Sequence, residues 1–185
     1  AVAGYERPDH PVQVLVRQAI AEICDVRADA LPVAVDGCAA PNYAIPLSNL
    51  ARGMARLGDA AALTATRARA AKRLLAAWKA HPLLVSGTGR ACGDLISGSR
   101  GATVVKTGAE GVFTAVLPER GLGVALKIDD GATRAAETAM ARVLTLLDAA
   151  DEDAPLIAKH VHPIVRNWRG DSVGERRPAE ALARV

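Results

Sequence analysis

The chain has 185 residues, half of them apolar but with only two Trp, two Tyr and one Phe, and 23 Lys and Arg against 20 Asp and Glu give a net charge of +3. That length suits one domain with a sizeable core built from Ala, Val, Leu and Ile. No run of eighteen apolar residues occurs, which excludes a membrane-spanning helix, and scattered Arg with almost no aromatics to stack bases argues against a nucleic-acid partner.

Asp9 is placed to cap a helix with Pro11 in its first turn. Val12, Leu15, Val16, Ala19, Ile20 and Ile23 recur at helical spacing and predict a buried stripe, with Cys24 beside it as a small core residue. Leu31 to Val35 reads as a short strand that delivers Asp36-Gly37-Cys38 into a proline-punctuated loop, neither helical nor alternating, of the kind that carries sites. Ser48 is the expected cap of a second helix burying Leu47, Leu50, Met54 and Leu57. The Ala- and Arg-rich segment 60–80 turns Ala71, Leu74, Leu75 and Trp78 inward, solvates Arg67, Arg69, Lys72 and Arg73, and stops at His81-Pro82. His10 and His81 both precede prolines and read as helix-boundary residues.

The glycine-rich stretch Leu84 to Leu95 lacks both G-x-x-x-x-G-K-[ST] and G-x-G-x-x-G, so it is read as a loop lining the same cleft as Lys106 rather than as a phosphate cradle. Segments 102–107, 111–117 and 121–128 change to the period of strands, with turns at Gly108-Ala109-Glu110 and Pro118-Glu119-Arg120 short enough to require antiparallel neighbours. Ala132 to Leu147 forms a long helix over one sheet face, and 163–167 and 171–174 read as two further short strands. The predicted fold class is mixed α/β (α+β), an antiparallel sheet flanked by helices. His160 and His162 would share a face on a strand, but without a neighbouring carboxylate or Cys they make no metal site. Three cysteines, Cys24, Cys38 and Cys92, are odd in number and far apart, which argues against a disulfide framework and for a reducing, cytoplasmic compartment.

Lys106 closes the β-branched run Val104-Val105 and is followed by Thr107-Gly108. A lysine at the end of an apolar strand can be held partly desolvated and serve as a proton carrier or an electrostatic clamp, and Gly108 leaves room for a substrate at the strand edge. The same three residues also describe a solvated lysine before a hairpin turn. Lys-Thr-Gly is one of three marks of the serine β-lactamase and penicillin-binding protein type of site, with S-x-x-K and S-D-N.

Several stretches together are more specific. Asp9-His10-Pro11-Val12-Gln13, Val35-Asp36-Gly37-Cys38 with Pro41, Ser86-Gly87-Thr88-Gly89-Arg90, Lys106-Thr107-Gly108-Ala109-Glu110-Gly111-Val112, the run from Gly123 to Gly131, and Val173-Gly174-Glu175-Arg176-Arg177-Pro178 resemble, in this order and over nearly the whole chain, the second half of the rhizobial-type (class 3) L-asparaginase family. The resemblance implies a serine β-lactamase-like fold and hydrolysis of the side-chain amide of L-asparagine to aspartate and ammonia. It implies a catalytic Ser with a Lys one helical turn later, and a second Ser paired with the Lys of a K-x-G-A-E-G stretch, to which Lys106 is similar. It also implies zinc held by the Cys of a D-G-C loop, which Cys38 resembles, together with a Cys and a Lys from a C-S-G-K stretch. In that setting Arg90 would hold the substrate carboxylate, or remain a surface-loop arginine. Glu110 would fix the turn or pair with Arg90. Cys38 would be a zinc ligand or a small buried residue, and Asp36 its support or a loop cap.

The departures are equally definite. None of Ser48, Ser86, Ser97, Ser99 and Ser172 has Lys three residues on, no C-S-G-K stretch occurs, and the chain begins without Met. The expectation is that the nucleophile, its Lys and two zinc ligands precede Ala1, that residues 1–185 are one C-terminal portion of a larger asparaginase-like domain, and that alone they are inactive and bind no zinc. Such a portion would expose apolar surface and a strand edge, and would persist as a homo-oligomer or as a compact subdomain. Two other functions suit the same residues: a penicillin-recognising serine hydrolase, or a non-catalytic binding or assembly domain.

Overall fold

The structure, a computed structural model, describes residues 3–183. Pro11 opens the first helix, α1 (Pro11–Cys24), at a position whose N–H would be unpaired anyway. Its cap is His10, whose Nδ1 accepts from the Val12 N–H at 3.2 Å, and not Asp9, which is held by two 3.2 Å hydrogen bonds from Arg7. The buried stripe expected along α1 is also corrected. Val12, Leu15 and Val16 are exposed, Leu15 at 61 %, while Gln13, Ala21 and Cys24 are buried. The second helix, α2 (Leu47–Asp59), is bound to α1 at the C-terminal end, where Asn49 Nδ2 donates to the Cys24 carbonyl at 3.0 Å and Arg52 pairs with Asp25 at 2.7 Å. The first two turns of α1 therefore keep their apolar side chains in solvent. Burial pushes the Cys24 thiol up, as suits an inert core residue.

Between these helices β1 (Val33–Val35) pairs antiparallel with β2 (Pro41–Tyr43), a strand hidden in the sequence because it starts on proline. Ser48 falls inside the first turn of α2 and caps nothing, and Leu47 is exposed while Leu50, Met54 and Leu57 are half-buried. The third helix, α3 (Ala65–Ala80), is capped by the Thr64 hydroxyl, which accepts from the Arg67 N–H at 3.4 Å. It buries Ala71 and Leu75, half-buries Trp78 and leaves Leu74 exposed. Arg69, Lys72 and Arg73 are solvated as expected, but Arg67 docks on Glu22 of α1 at 3.2 Å. His81 separates α3 from the short α4 (Pro82–Ser86), and α5 (Ala91–Gly98) takes up the end of the stretch read as loop, burying Ala91, Cys92, Leu95 and Ile96.

The three strands appear where alternation placed them. β3 (Val104–Thr107), β4 (Val112–Leu117) and β5 (Leu122–Lys127) form one antiparallel sheet in that order, with Lys106 opposite Thr114. Phe113 to Leu117 are buried at consecutive positions, which requires cover on both faces. On one of them α2 crosses β5 so closely at Gly123 that a Cβ there would run into the backbone of Ala51 and Ala55. The long helix α6 (Thr133–Leu146) adds Ala136, Met140, Ala141 and Leu144 to the core that holds Leu95, Ile96, Phe113 and Leu117. An additional helix, α7 (Pro155–Val161), closes that core with Ile157 and Val161. β6 (Ile164–Arg166) and β7 (Ser172–Glu175) pair as an exposed hairpin with Trp168 wholly in solvent, and α8 (Glu180–Ala183) follows. The class is the mixed α/β one predicted, with small antiparallel sheets flanked by helices.

Candidate functional site

β3 carries Val104 and Val105 into the core at 0 % exposure and brings Lys106 out into solvent. The ammonium is thus not desolvated by this chain; its Nζ donates to the Thr107 carbonyl at 2.8 Å. The backbone below it is fixed, since the Thr114 hydroxyl on β4 donates to the Lys106 carbonyl at 3.2 Å. An anchored strand end with an accessible cation suits electrostatic clamping of a substrate.

The turn that follows is tight. The Gly108 N–H donates to the Val112 carbonyl at 2.7 Å and the Val112 N–H to the Ala109 carbonyl at 3.1 Å. Glu110 and Gly111 both take left-handed conformations, at φ +53° and +69°. At Gly111 only glycine serves, because a Cβ would also press on Ile128 and on the Gly131 backbone. Glu110 is exposed and forms no ion pair with Arg90 among the described residues, and its backbone is part of the turn.

The glycine-rich stretch does adjoin this strand end. The buried Cys92 thiol in the first turn of α5 accepts from the Thr107 N–H at 3.2 Å, and the Ser86 hydroxyl accepts from the Gly93 N–H at 3.1 Å. Arg90, immediately before α5, is exposed and its side chain makes no hydrogen bond or ion pair among the described residues, which leaves its planar fork available.

Cys38 stands apart, in the turn of the β1–β2 hairpin. The Asp36 N–H donates to the Ala40 carbonyl at 2.9 Å and the Asp36 carboxylate accepts from the Gly37 N–H at 2.6 Å, so Asp36 acts as a loop cap. Cys38 is exposed, not a buried small residue. Among the described residues no three His, Cys, Asp or Glu side chains gather as a metal would need, and Cys38 with Asp36 does not amount to a zinc site.

One polar cluster has no counterpart in the sequence reading. On α5, Asp94 Oδ2 receives Lys159 Nζ at 2.8 Å and His160 Nε2 at 3.0 Å, both from α7. Burial pushes the Asp94 carboxyl up, but the hydrogen bonds and charges of Lys159 and His160 outweigh it and hold the group below its ordinary value. His160 lies in a helix rather than a strand, and His162 turns to a different carboxylate, Glu152, at 2.9 Å. The two histidines therefore do not share a site. No signal in the sequence joins Asp94 to residues so distant along the chain.

The model of the L-asparaginase II family matches residues 1–178. No curated protein matches the chain. Among the described residues no helix is long and apolar enough to cross a membrane.

Proposed function

The chain belongs to the L-asparaginase II family, and from that premise we propose that the protein hydrolyses the side-chain amide of L-asparagine to aspartate and ammonia on a serine β-lactamase-like fold. The observation that carries the reading is Lys106, an accessible ammonium on a backbone pinned by Thr114 while Cys92 holds the next residue. Acyl transfer from an amide needs a nucleophile, a proton for the departing ammonia and a charge facing the oxyanion that develops. Lys106 is assigned the last two tasks: with one N–H engaged by the Thr107 carbonyl, two remain for substrate. Arg90 receives the α-carboxylate of asparagine, and the Gly108 to Glu110 turn forms the edge against which the substrate lies.

The nucleophilic Ser and its Lys are assigned to sequence outside these 185 residues, as none of the five serines has Lys three positions on. Cys38 would supply one thiolate to a zinc site completed from the same source. The chain alone would then not turn over asparagine. In the assembled protein, the apolar side chains of α1 and Trp168 now in solvent would be covered in a homo-oligomer, and sedimentation of the full-length protein as a folded monomer would contradict that.

The test is ammonia release from asparagine by the full-length protein, with and without Lys106→Ala. A loss of about 10²-fold or more is expected; a wild type and variant that are both inert, or equally active, would refute the reading. The Lys-Thr-Gly strand end also suits a penicillin-recognising serine hydrolase, and failure of a β-lactam to label the full-length protein covalently would dispose of that alternative.

A further inference from the structure

α6, the residue after β5, the end of β7 and the segment that follows it border an open cleft of about 520 Å³ that none of Lys106, Arg90, Gly108, Glu110 and Cys38 lines. That volume is ordinary for a small-molecule site, which is typically apolar with a few convergent polar groups. The floor here is apolar, formed by Ile128, Ala135, Ala139 and Leu182. Three guanidinium-bearing side chains stand around it: Arg134 from the first turn of α6, and Arg176 and Arg177 from the C-terminal segment. Arg176 Nη1 donates to the Arg134 carbonyl at 3.3 Å and so holds the segment against the helix.

The nearby carboxylates Asp130, Glu175 and Glu180 engage only one of these arginines in an ion pair. Asp130 approaches Arg134 at 3.8 Å and Glu175 lies on the lining, while Arg176 and Arg177 have no ion-pair partner among the described residues. Arg176 and Arg177 thus stand at the cleft as two unpaired guanidinium groups, a set suited to an anionic head group. In the wall Thr138 is 6 % exposed and its hydroxyl has no hydrogen-bond partner among the described residues, a cost that native structures seldom carry without reason.

We propose that this cleft binds a small organic carboxylate with an apolar body, its head taken by the Arg176 and Arg177 forks and its tail by the α6 floor. Asparagine, polar throughout, is a poor match for such a floor. The proposal is independent of the asparaginase reading, and asparagine hydrolysis plays no part in its readout.

Octanoate titrated into the full-length protein by isothermal calorimetry is expected to bind saturably at one site, with octylammonium, the charge-inverted control, not binding there. Arg176→Ala and Arg177→Ala are each expected to weaken octanoate at least tenfold, and Glu175→Gln to tighten it; circular dichroism verifies that each variant is folded. Absence of octanoate binding, equal binding of the two amphiphiles, or an affinity indifferent to both arginine substitutions overturns the proposal.

Discussion

The buried thiol of Cys92 and the backbone N–H of Thr107 share a 3.2 Å hydrogen bond that ties the first turn of α5 to the residue after Lys106. Cys92→Ala leaves that part-buried N–H without its acceptor. Urea unfolding should show a loss of about 1–2 kcal/mol, and Cys92→Ser, which restores an acceptor, should recover part of it.

Lys106→Arg separates the two tasks assigned to the lysine. Arginine keeps the positive charge but does not release its proton at any ordinary pH. Asparagine hydrolysis by the full-length protein should therefore fall nearly as far with Lys106→Arg as with Lys106→Ala. Substantial retained activity would show that the charge alone suffices. Because the side chain is exposed, both variants should unfold within about 0.5 kcal/mol of wild type.

Asp94 makes stability depend on pH in a definite direction. A carboxyl whose folded value is depressed contributes stability that is fully present above its ordinary value of about 4 and is lost as pH falls through that value toward the folded one. Asp94→Asn should thus be less stable than wild type by roughly 1–2 kcal/mol at pH 7, with the gap closing as pH falls through the ordinary carboxylate range toward the folded value. Denaturant unfolding at neutral pH and through the acid range measures it. A gap independent of pH would mean that the Lys159 and His160 contacts do not stabilise the ionised carboxylate.

Gly123→Ala should be among the most damaging single-atom additions, since the new Cβ meets the α2 backbone rather than a side chain that could turn away. A loss of about 3 kcal/mol or more is expected, read as a fall in thermal midpoint or as insoluble expression. Gly174→Ala, with open space around it, is the control and should be near neutral.

Alternation and turn chemistry made the central sheet legible, down to Lys106 at a strand end. Periodicity likewise located α1, α2, α3 and α6, but it reports that a helix has an apolar face and not what covers it; Leu15 is the clearest instance. α5 was obscured because Gly87, Gly89 and Gly93 crowd its start, and α7 because it runs only from Pro155 to Val161 behind an acidic stretch. At the candidate site, loop motifs singled out Arg90, Gly108 and Glu110, and the glycine-rich stretch meets the strand end through the Cys92 thiol on the Thr107 N–H. The Asp94 cluster was invisible because its members meet only once α5 and α7 pack, with Asp94 and His160 66 positions apart in the chain.

β3 is an outer strand of its sheet, and an outer strand with free N–H and C=O groups invites another chain to extend it. At Thr107 that invitation is withdrawn. Its N–H is occupied by the Cys92 thiol and its carbonyl by the Lys106 ammonium, so both main-chain groups are engaged within the chain. Lys106 thereby closes, with its own ammonium, a main-chain acceptor that an added strand would need.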